Sequence, residues 1–365
     1  MLDEFQLLAA QSPELETVLS RWWRRTGRHL PLVLVLAGSE LSFFEDKVLA
    51  GQLYGRRTGQ LKLTPFTARE AALFHPAYSP EDRVRVYSIC GGVPYYLERF
   101  TDGRPLAAHL LAEVFERTGL LHDEAELMLR QSIPSRSTPA NHIAVLRSIA
   151  HGHNRNNAIS QRTRLEAGHV TKLLDSLERL GLVERLRPIT ASPRSTKTAY
   201  AISDQFLRFH YRFVEPARSR LRTRALAAAY LEATVLPQLD HHASQAWEDI
   251  CRQHVLRTVP GVSAIGRWWG QVATGQGQRT EQREIDVVGV DDHRTPAVVG
   301  MCKWTTAPID FDELNLLDRL AQHVESHTGQ EQRCLFSRSG FSARLRDHAA
   351  SDPRLHILTP AQLYQ

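Results

Sequence analysis

Glu284-Ile285-Asp286-Val287-Val288 and Gly300-Met301-Cys302-Lys303-Trp304 read as two adjacent strands, each setting charged groups into an otherwise apolar run. The surrounding pattern predicts a helix over Ala243 to Leu256 and strands over Ile265 to Trp269, Arg283 to Val290 and Ala297 to Lys303. A helix from Phe311 to His323 and a strand from Arg333 to Phe336 follow. A carboxylate ending one strand, an acid-x-Lys on the next and an acid on the preceding helix would let two acids hold Mg²⁺ while the Lys positions or activates water. Asp286 supplies the first group, Lys303 the lysine, and Glu248 in Trp247-Glu-Asp-Ile-Cys the helix acid.

That element order suits a nuclease fold of the PD-(D/E)xK type, with Glu248 and Asp286 as metal residues. Met301 takes the place of the second strand acid, and a thioether does not replace a carboxylate for a hard cation. The expectation is a nuclease fold without activity; the alternative is a metal-dependent DNA nuclease using Asp286 and Lys303.

Working towards the N-terminus, His142 to Ala150, Ala158 to Thr163 and Glu166 to Leu180 each place apolar residues on one face. Gly181 stops the third helix, and Val183 to Arg187 and Thr198 to Ile202 follow as strands around a Pro- and Ser-rich tip. Three helices and a hairpin predict a winged helix. From Arg147 to Lys197 ten Lys and Arg stand against four Asp and Glu, a surplus of six that exceeds the net charge of +5 of all 365 residues. Local positive charge on a helix-turn-helix is the footprint of phosphate neutralisation. Arg162, Arg164, His169, Thr171 and Lys172 surround the turn and the early third helix, and Arg194 and Lys197 fall on the wing, so these are the expected DNA-binding residues. The bland reading of such a module is a protein-protein lid.

Asp204 to Val214 interleaves aromatics at helical spacing and reads as a packing helix, whereas Arg218, Arg220, Arg222 and Arg224 could follow a phosphate backbone. The stretches Phe66 to Phe74, Pro80 to Ile89, Pro94 to Phe100, Pro105 to Thr118 and His122 to Gln131 read as helices, several opened by Pro. At the N-terminus, an apolar residue running into Asp3-Glu4 reads as a Walker B ending, in which the Asp organises Mg²⁺ and the Glu polarises water. Leu30 to Ala37 is an unbroken apolar run of the kind a strand covered on both faces requires, and it ends in Gly38-Ser39. Arg56 and Arg57 could reach phosphates. No segment satisfies G-x-x-x-x-G-K-[ST]; Gly261 to Trp268 keeps the glycine spacing but puts Arg267 and Trp268 at the Lys and Ser/Thr positions.

Leu2-Asp-Glu-Phe-Gln, Leu36-Ala-Gly-Ser-Glu, Leu53-Tyr-Gly-Arg-Arg-Thr-Gly-Gln and Cys90-Gly-Gly-Val-Pro-Tyr-Tyr-Leu-Glu, in that order, resemble the archaeal-type AAA+ ATPases with a C-terminal DUF234 domain. Ile202-Ser-Asp-Gln-Phe-Leu-Arg-Phe is similar to the opening of that domain, and Met301-Cys-Lys-Trp to its Glu-Cys-Lys-Trp. The resemblance implies ATP and Mg²⁺ as cofactors, Asp3 and Glu4 as catalytic Walker B residues with Asp3 on the metal, and Ser39 as the polar sensor. It also implies Arg56 and Arg57 as the arginine pair and Pro94 in the lid turn facing the nucleotide. The family's first strand and phosphate loop have no counterpart, so an ATPase would require a Walker A segment upstream of Met1.

The longest apolar run is short of the roughly 20 residues that span a bilayer, and Met1 to Gln6 is not a secretory leader. Cys90, Cys251, Cys302 and Cys334 form no C-x-x-C pair, which suits a cytoplasmic protein with reduced thiols. The fold class expected is therefore α/β and multidomain. Residues 1–65 form a partial P-loop AAA+ core, 66–135 a helical lid, 136–203 the winged helix, 204–240 a helical connector and 241–365 a restriction-endonuclease-like domain. Function is expected to be DNA binding with defective ATP and nuclease sites, with a homo-oligomer or protein partner possible and no membrane.

Overall fold

The computed structural model describes residues 1–38, 44, 53, 55–132, 139–192, 195–274 and 279–364. It is mixed α/β. Helices α1 (Phe5–Gln11), α2 (Leu15–Arg25), α3 (Ala68–Ala71), α4 (Pro80–Cys90), α5 (Pro94–Leu97), α6 (Leu106–His109) and α7 (Glu124–Ser132) come first. A three-helix unit, α8 (Pro139–Ala150), α9 (Asn156–Thr163) and α10 (Ala167–Arg179), leads into a hairpin of β1 (Val183–Leu186) and β2 (Ala199–Ile202). Helices α11 (Gln205–Phe209), α12 (Arg224–Tyr230) and α13 (Leu236–Thr258) precede the C-terminal sheet. Its strands are β3 (Ala264–Thr274), β4 (Arg279–Val290), β5 (Pro296–Lys303), β6 (Gln332–Ser337) and β7 (Leu355–Leu358), in sequential order. The first three pair antiparallel and the last two add parallel, each crossover made by a helix, α14 (Phe311–Ala321) and α15 (Ala343–Ser351). Crossovers of that length are what parallel pairing demands.

Helix α13 ties the parts together. Ala243, Ala246, Trp247, Ile250 and Cys251 recur at three- and four-residue spacing and are all buried. Trp247 meets Trp304 after β5 with ring centres 5.3 Å apart and Phe336 of β6 at 6.4 Å. On its first turns, Asp240 accepts from Arg85 of α4 at 2.8 Å and from Arg338 beyond β6 at 2.7 Å. The aromatic helix after Asp204 packs, as its spacing predicts: Phe206, Phe209, Tyr211 and Phe213 are buried, and Phe206 lies 4.6 Å from the ring of Tyr96.

Two expectations are revised. Leu30 to Ala37 is not covered on both faces: Val33 is 83% exposed, and the pairing described is one parallel bridge between Leu2 and Leu36. A single bridge cannot bury a strand's two faces. The arginine ladder is half neutralised, since Arg218 pairs with Asp123 and Glu126 and Arg224 with Glu116. Strand β7 and helix α15 were not foreseen.

The turn before α5 depends on close backbone approach. Phe66 N donates to Gly92 O at 2.8 Å, and a Cβ on Gly92 would run into the Phe66 carbonyl. Gly92→Ala should therefore cost on the order of 1–3 kcal/mol, as overpacking does; a thermal melt unchanged from the parent would refute this.

Candidate functional site

The helix acid and the strand acid lie within electrostatic reach of each other. Asp286 on β4 is 8% exposed. Asp286 Oδ2 accepts from Cys302 N at 2.7 Å, which aims the carboxylate across the β4–β5 ladder. Burial first, then repulsion from Asp286, raises the Glu248 carboxyl to about 7 despite the pull of Arg267 and Arg252. Burial likewise lifts Asp286 to about 6, against the Cys302 hydrogen bond and the attraction of Lys303 and Arg252. Two acids this close and this dry hold on to protons unless a cation joins them.

The cations that join them belong to the chain. Arg252, one helical turn beyond Glu248 and 9% exposed, donates from Nη1 to Asp286 O at 2.6 Å, approaches Glu248 at 3.7 Å and pairs with Asp249. Arg267 reaches Glu248 Oε2 at 3.3 Å from the opposite side. Opposite Arg267 the β4 strand carries an extra residue, since Gly266 faces Val288 but Trp268 faces Ile285. Glu184 of the hairpin stands near the same group. Its side chain reaches solvent, yet surrounding protein desolvates the carboxyl, and Asp249 adds repulsion, so its pKa rises against the pull of Arg267 and Arg252.

The hairpin tip is docked on this corner. Ile189 N donates to Arg267 O at 2.8 Å, Gly266 leaves room for the Ile189 side chain, and Arg294 Nη2 donates to Ile189 O at 2.7 Å and Ala191 O at 2.9 Å. Trp268 Nε1 donates to Glu325 Oε2 at 2.9 Å, and Thr190 donates to the same carboxylate. Part of the wing expected to face outward is thus spent on the C-terminal domain.

Mg²⁺ does not fit the residues present. Met301 is buried in a cluster with Trp268, Val288 and Val299. Lys303 Nζ lies 3.2 Å from Glu313 Oε2 of α14. Glu248 is therefore already met by two guanidinium groups, and Lys303 by a carboxylate of its own, where a hard cation asks for free oxygen ligands. Among the described residues no three His, Cys, Asp or Glu side chains converge as a metal set.

Among the described residues, the N-terminal candidates make local contacts. Asp3 and Glu4 are exposed, Asp3 Oδ1 accepts from Glu4 N at 3.0 Å, and Glu4 accepts from Gln6. Leu2 N and Ala37 N do bond across to Val35 O and Leu2 O at 2.8 and 2.9 Å, so Asp3 follows a residue paired in parallel with Leu36. Arg57 bonds Gln60, Arg56 is half-buried, and Pro94 is exposed at the first position of α5. Ser39 lies outside the described residues, as does Arg194.

In the three-helix unit Arg162, Arg164, His169, Thr171, Lys172 and Lys197 are all exposed. Arg164 ends α9 in the left-handed region, φ 60°, which turns the chain sharply into α10. Thr171 commits its hydroxyl locally: it donates to Ala167 O at 3.0 Å and accepts from Asn156 Nδ2 at 2.9 Å. Asn141 Nδ2 donates to His169 Nε2 at 3.3 Å. Arg162, Arg164 and Lys172 have no carboxylate partner among the described residues, unlike Arg147 with Glu215 and Arg185 with Asp175 and Glu178. No described helix is long and apolar enough to cross a membrane.

Sequence reading missed Arg252, Arg267 and Glu313. The spacing of Glu248 and Arg252 on one helix face could have flagged the first. Nothing local marks Arg267, because a bulge is a property of two paired strands.

Residues 210–316 match the DUF234 family, described as archaeal and bacterial proteins of unknown function. An uncharacterized protein, MJECL04, of Methanocaldococcus jannaschii is 28% identical over 311 residues, covering 83% of this chain and 67% of its own length. The crystal structure of protein VC1899 from Vibrio cholerae aligns over 72% of this chain at 15% identity and a TM-score of 0.24, and the chain spans 55% of that protein.

Arg252→Met should destabilise the fold by about 3–5 kcal/mol, because it leaves buried carboxylates without their cation; urea unfolding measures it. Glu248 has a folded pKa of about 7, above its ordinary 4.5, so its contribution is present at low pH and lost as pH rises through that window. Glu248→Gln should consequently gain stability relative to the parent between pH 5 and pH 8, and a constant difference would refute the assignment.

Proposed function

We propose that this chain is a DNA-binding protein that keeps the layout of a DUF234-bearing AAA+ ATPase, holds duplex DNA through a winged helix and does not cleave it. The three-helix unit and its hairpin, residues 136–203, are the winged helix of this reading, with α10 as the helix presented to the groove. One observation carries it: Arg162, Arg164 and Lys172 are exposed at the turn and early α10 and have no carboxylate partner among the described residues, whereas Arg147 and Arg185 are drawn into ion pairs. Unpaired cations on one face are free to displace the counterions of a phosphate backbone.

The C-terminal domain is read as a nuclease fold whose acids serve structure. Arg252 and Arg267 hold Glu248, Arg252 holds the Asp286 carbonyl, and the Asp286 carboxylate accepts from Cys302 N. Asp3, Glu4, Arg56 and Arg57 belong to the ATPase layout and are not assigned a reaction.

Replacing Arg162, Arg164 and Lys172 together by Ala should weaken binding to a mixed-sequence duplex and lower the slope of log affinity against log salt by about two to three, close to 0.9 for each phosphate no longer neutralised. Fluorescence anisotropy across a salt series measures both, and an unchanged slope counts against the reading. The same duplex incubated with Mg²⁺ should stay intact; cutting that Asp286→Ala abolishes would favour the nuclease alternative.

A further inference from the structure

Between the hairpin and the β3–β4 ribbon lies a cleft of about 250 Å³ of whose lining the winged-helix reading uses Lys197 alone. Arg155 and Lys197 come to it from the three-helix unit and its hairpin, Gln271 and Gln282 from the ribbon, with Trp269 and Thr196 completing the wall. Gln271 and Gln282 are register partners, so their side chains leave the same face of the ribbon. Arg155 Nη2 donates to Gln282 Oε1, which closes one end of the cleft without neutralising the arginine. Tyr200 N donates to Asn154 O at 2.7 Å, fixing the residue before Arg155 to strand β2.

Size and chemistry narrow the ligand. The volume is below the roughly 300 Å³ or more that drug-sized ligands and cofactors occupy. Two cations and two neutral amides, one set fixed and the other projecting from a ribbon, suit a tetrahedral anion with several acceptor oxygens. Acidic groups are near: Glu284 is the partner of Trp269 across the ladder, and Glu325 lies within electrostatic reach of Lys197, but Glu325 already accepts from Trp268 and Thr190. Arg155 caps the start of α9 and Arg164 its end, eight helical residues apart. At about 1.5 Å per residue the separation is about 12 Å, the axial length of three to four base pairs.

We infer that this cleft takes a phosphodiester of the same DNA strand that passes the α9–α10 turn, so that the ribbon of the C-terminal domain is a second, non-sequence-reading contact to the duplex. The inference rests on the winged-helix reading for the path of the strand. Arg155 and Lys197 carry the charge, while Gln271 and Gln282 donate amide hydrogens to the phosphate oxygens. The docked hairpin tip holds the two walls at a fixed distance.

The test is anisotropy of a fluorescein-labelled duplex of about 20 base pairs against the full chain, across a salt series. It compares the parent, the Arg162, Arg164 and Lys172 alanine triple, and the double variant Gln271→Glu with Gln282→Glu. The double variant preserves side-chain size but places two negative charges in the cleft; circular dichroism melting checks that it folds as the parent does. Expected is about tenfold weaker binding at low salt and a salt slope lower by about one. Parent-like affinity and slope in the folded double variant overturn the cleft and leave the winged helix standing. Weakening in the double variant with no effect of the alanine triple supports the cleft and removes the α9–α10 surface. A parent chain that fails to bind the duplex at low salt overturns both.

Discussion

The buried guanidinium of Arg252 constrains this molecule more than any other group. A charge taken out of water must be met by acceptors, or the fold loses several kcal/mol. Here the acceptors come from α13 itself, through Glu248 and Asp249, and from the backbone of Asp286 on β4. The pairing therefore fixes how the long helix lies on the C-terminal sheet. The same helix carries Asp240, shared by Arg85 of the N-terminal helices and Arg338 of the sheet, so its placement is passed on in both directions.

From that placement the junction with the three-helix unit follows. Opposite a bulge in β4, the Arg267 side chain reaches Glu248 and its carbonyl accepts from Ile189 N. One residue thereby serves electrostatics through its side chain and docking through its backbone. With the hairpin tip pinned, the exposed surface left to the unit is α9, α10 and the flank containing Lys197. The docked tip thereby connects the three-helix unit to the C-terminal sheet.

Much of the architecture was legible beforehand. Regular apolar spacing announced α8 to α10 and α13, strand runs announced β3 to β6, and Gly181 with φ of 70° ends α10 where its position suggested. Glu248 and Asp286 were also picked out, from residue type and element order, and they do converge. The apolar run at Leu30 misled because periodicity reports what a strand could bury and says nothing of what is there to cover it. Strand β7 and helix α15 went unnoticed because short terminal elements carry few residues of pattern.

What the sequence determined by itself was therefore local: helix and strand periods, turn chemistry, the surplus of positive charge between Arg147 and Lys197, and the substitution of a thioether at Met301. Only the tertiary structure decided which charges remain available. Arg147, Arg185, Arg218 and Arg224 look like Arg162 and Arg164 along the chain, yet among the described residues the first four are paired with carboxylates and the last two are not. For Arg147, Arg218 and Arg224 the pairing depends on carboxylates distant in sequence, and a bulge such as that opposite Arg267 arises only when two strands are laid side by side. Charge is written residue by residue, but its neutralisation is a matter of distance in three dimensions.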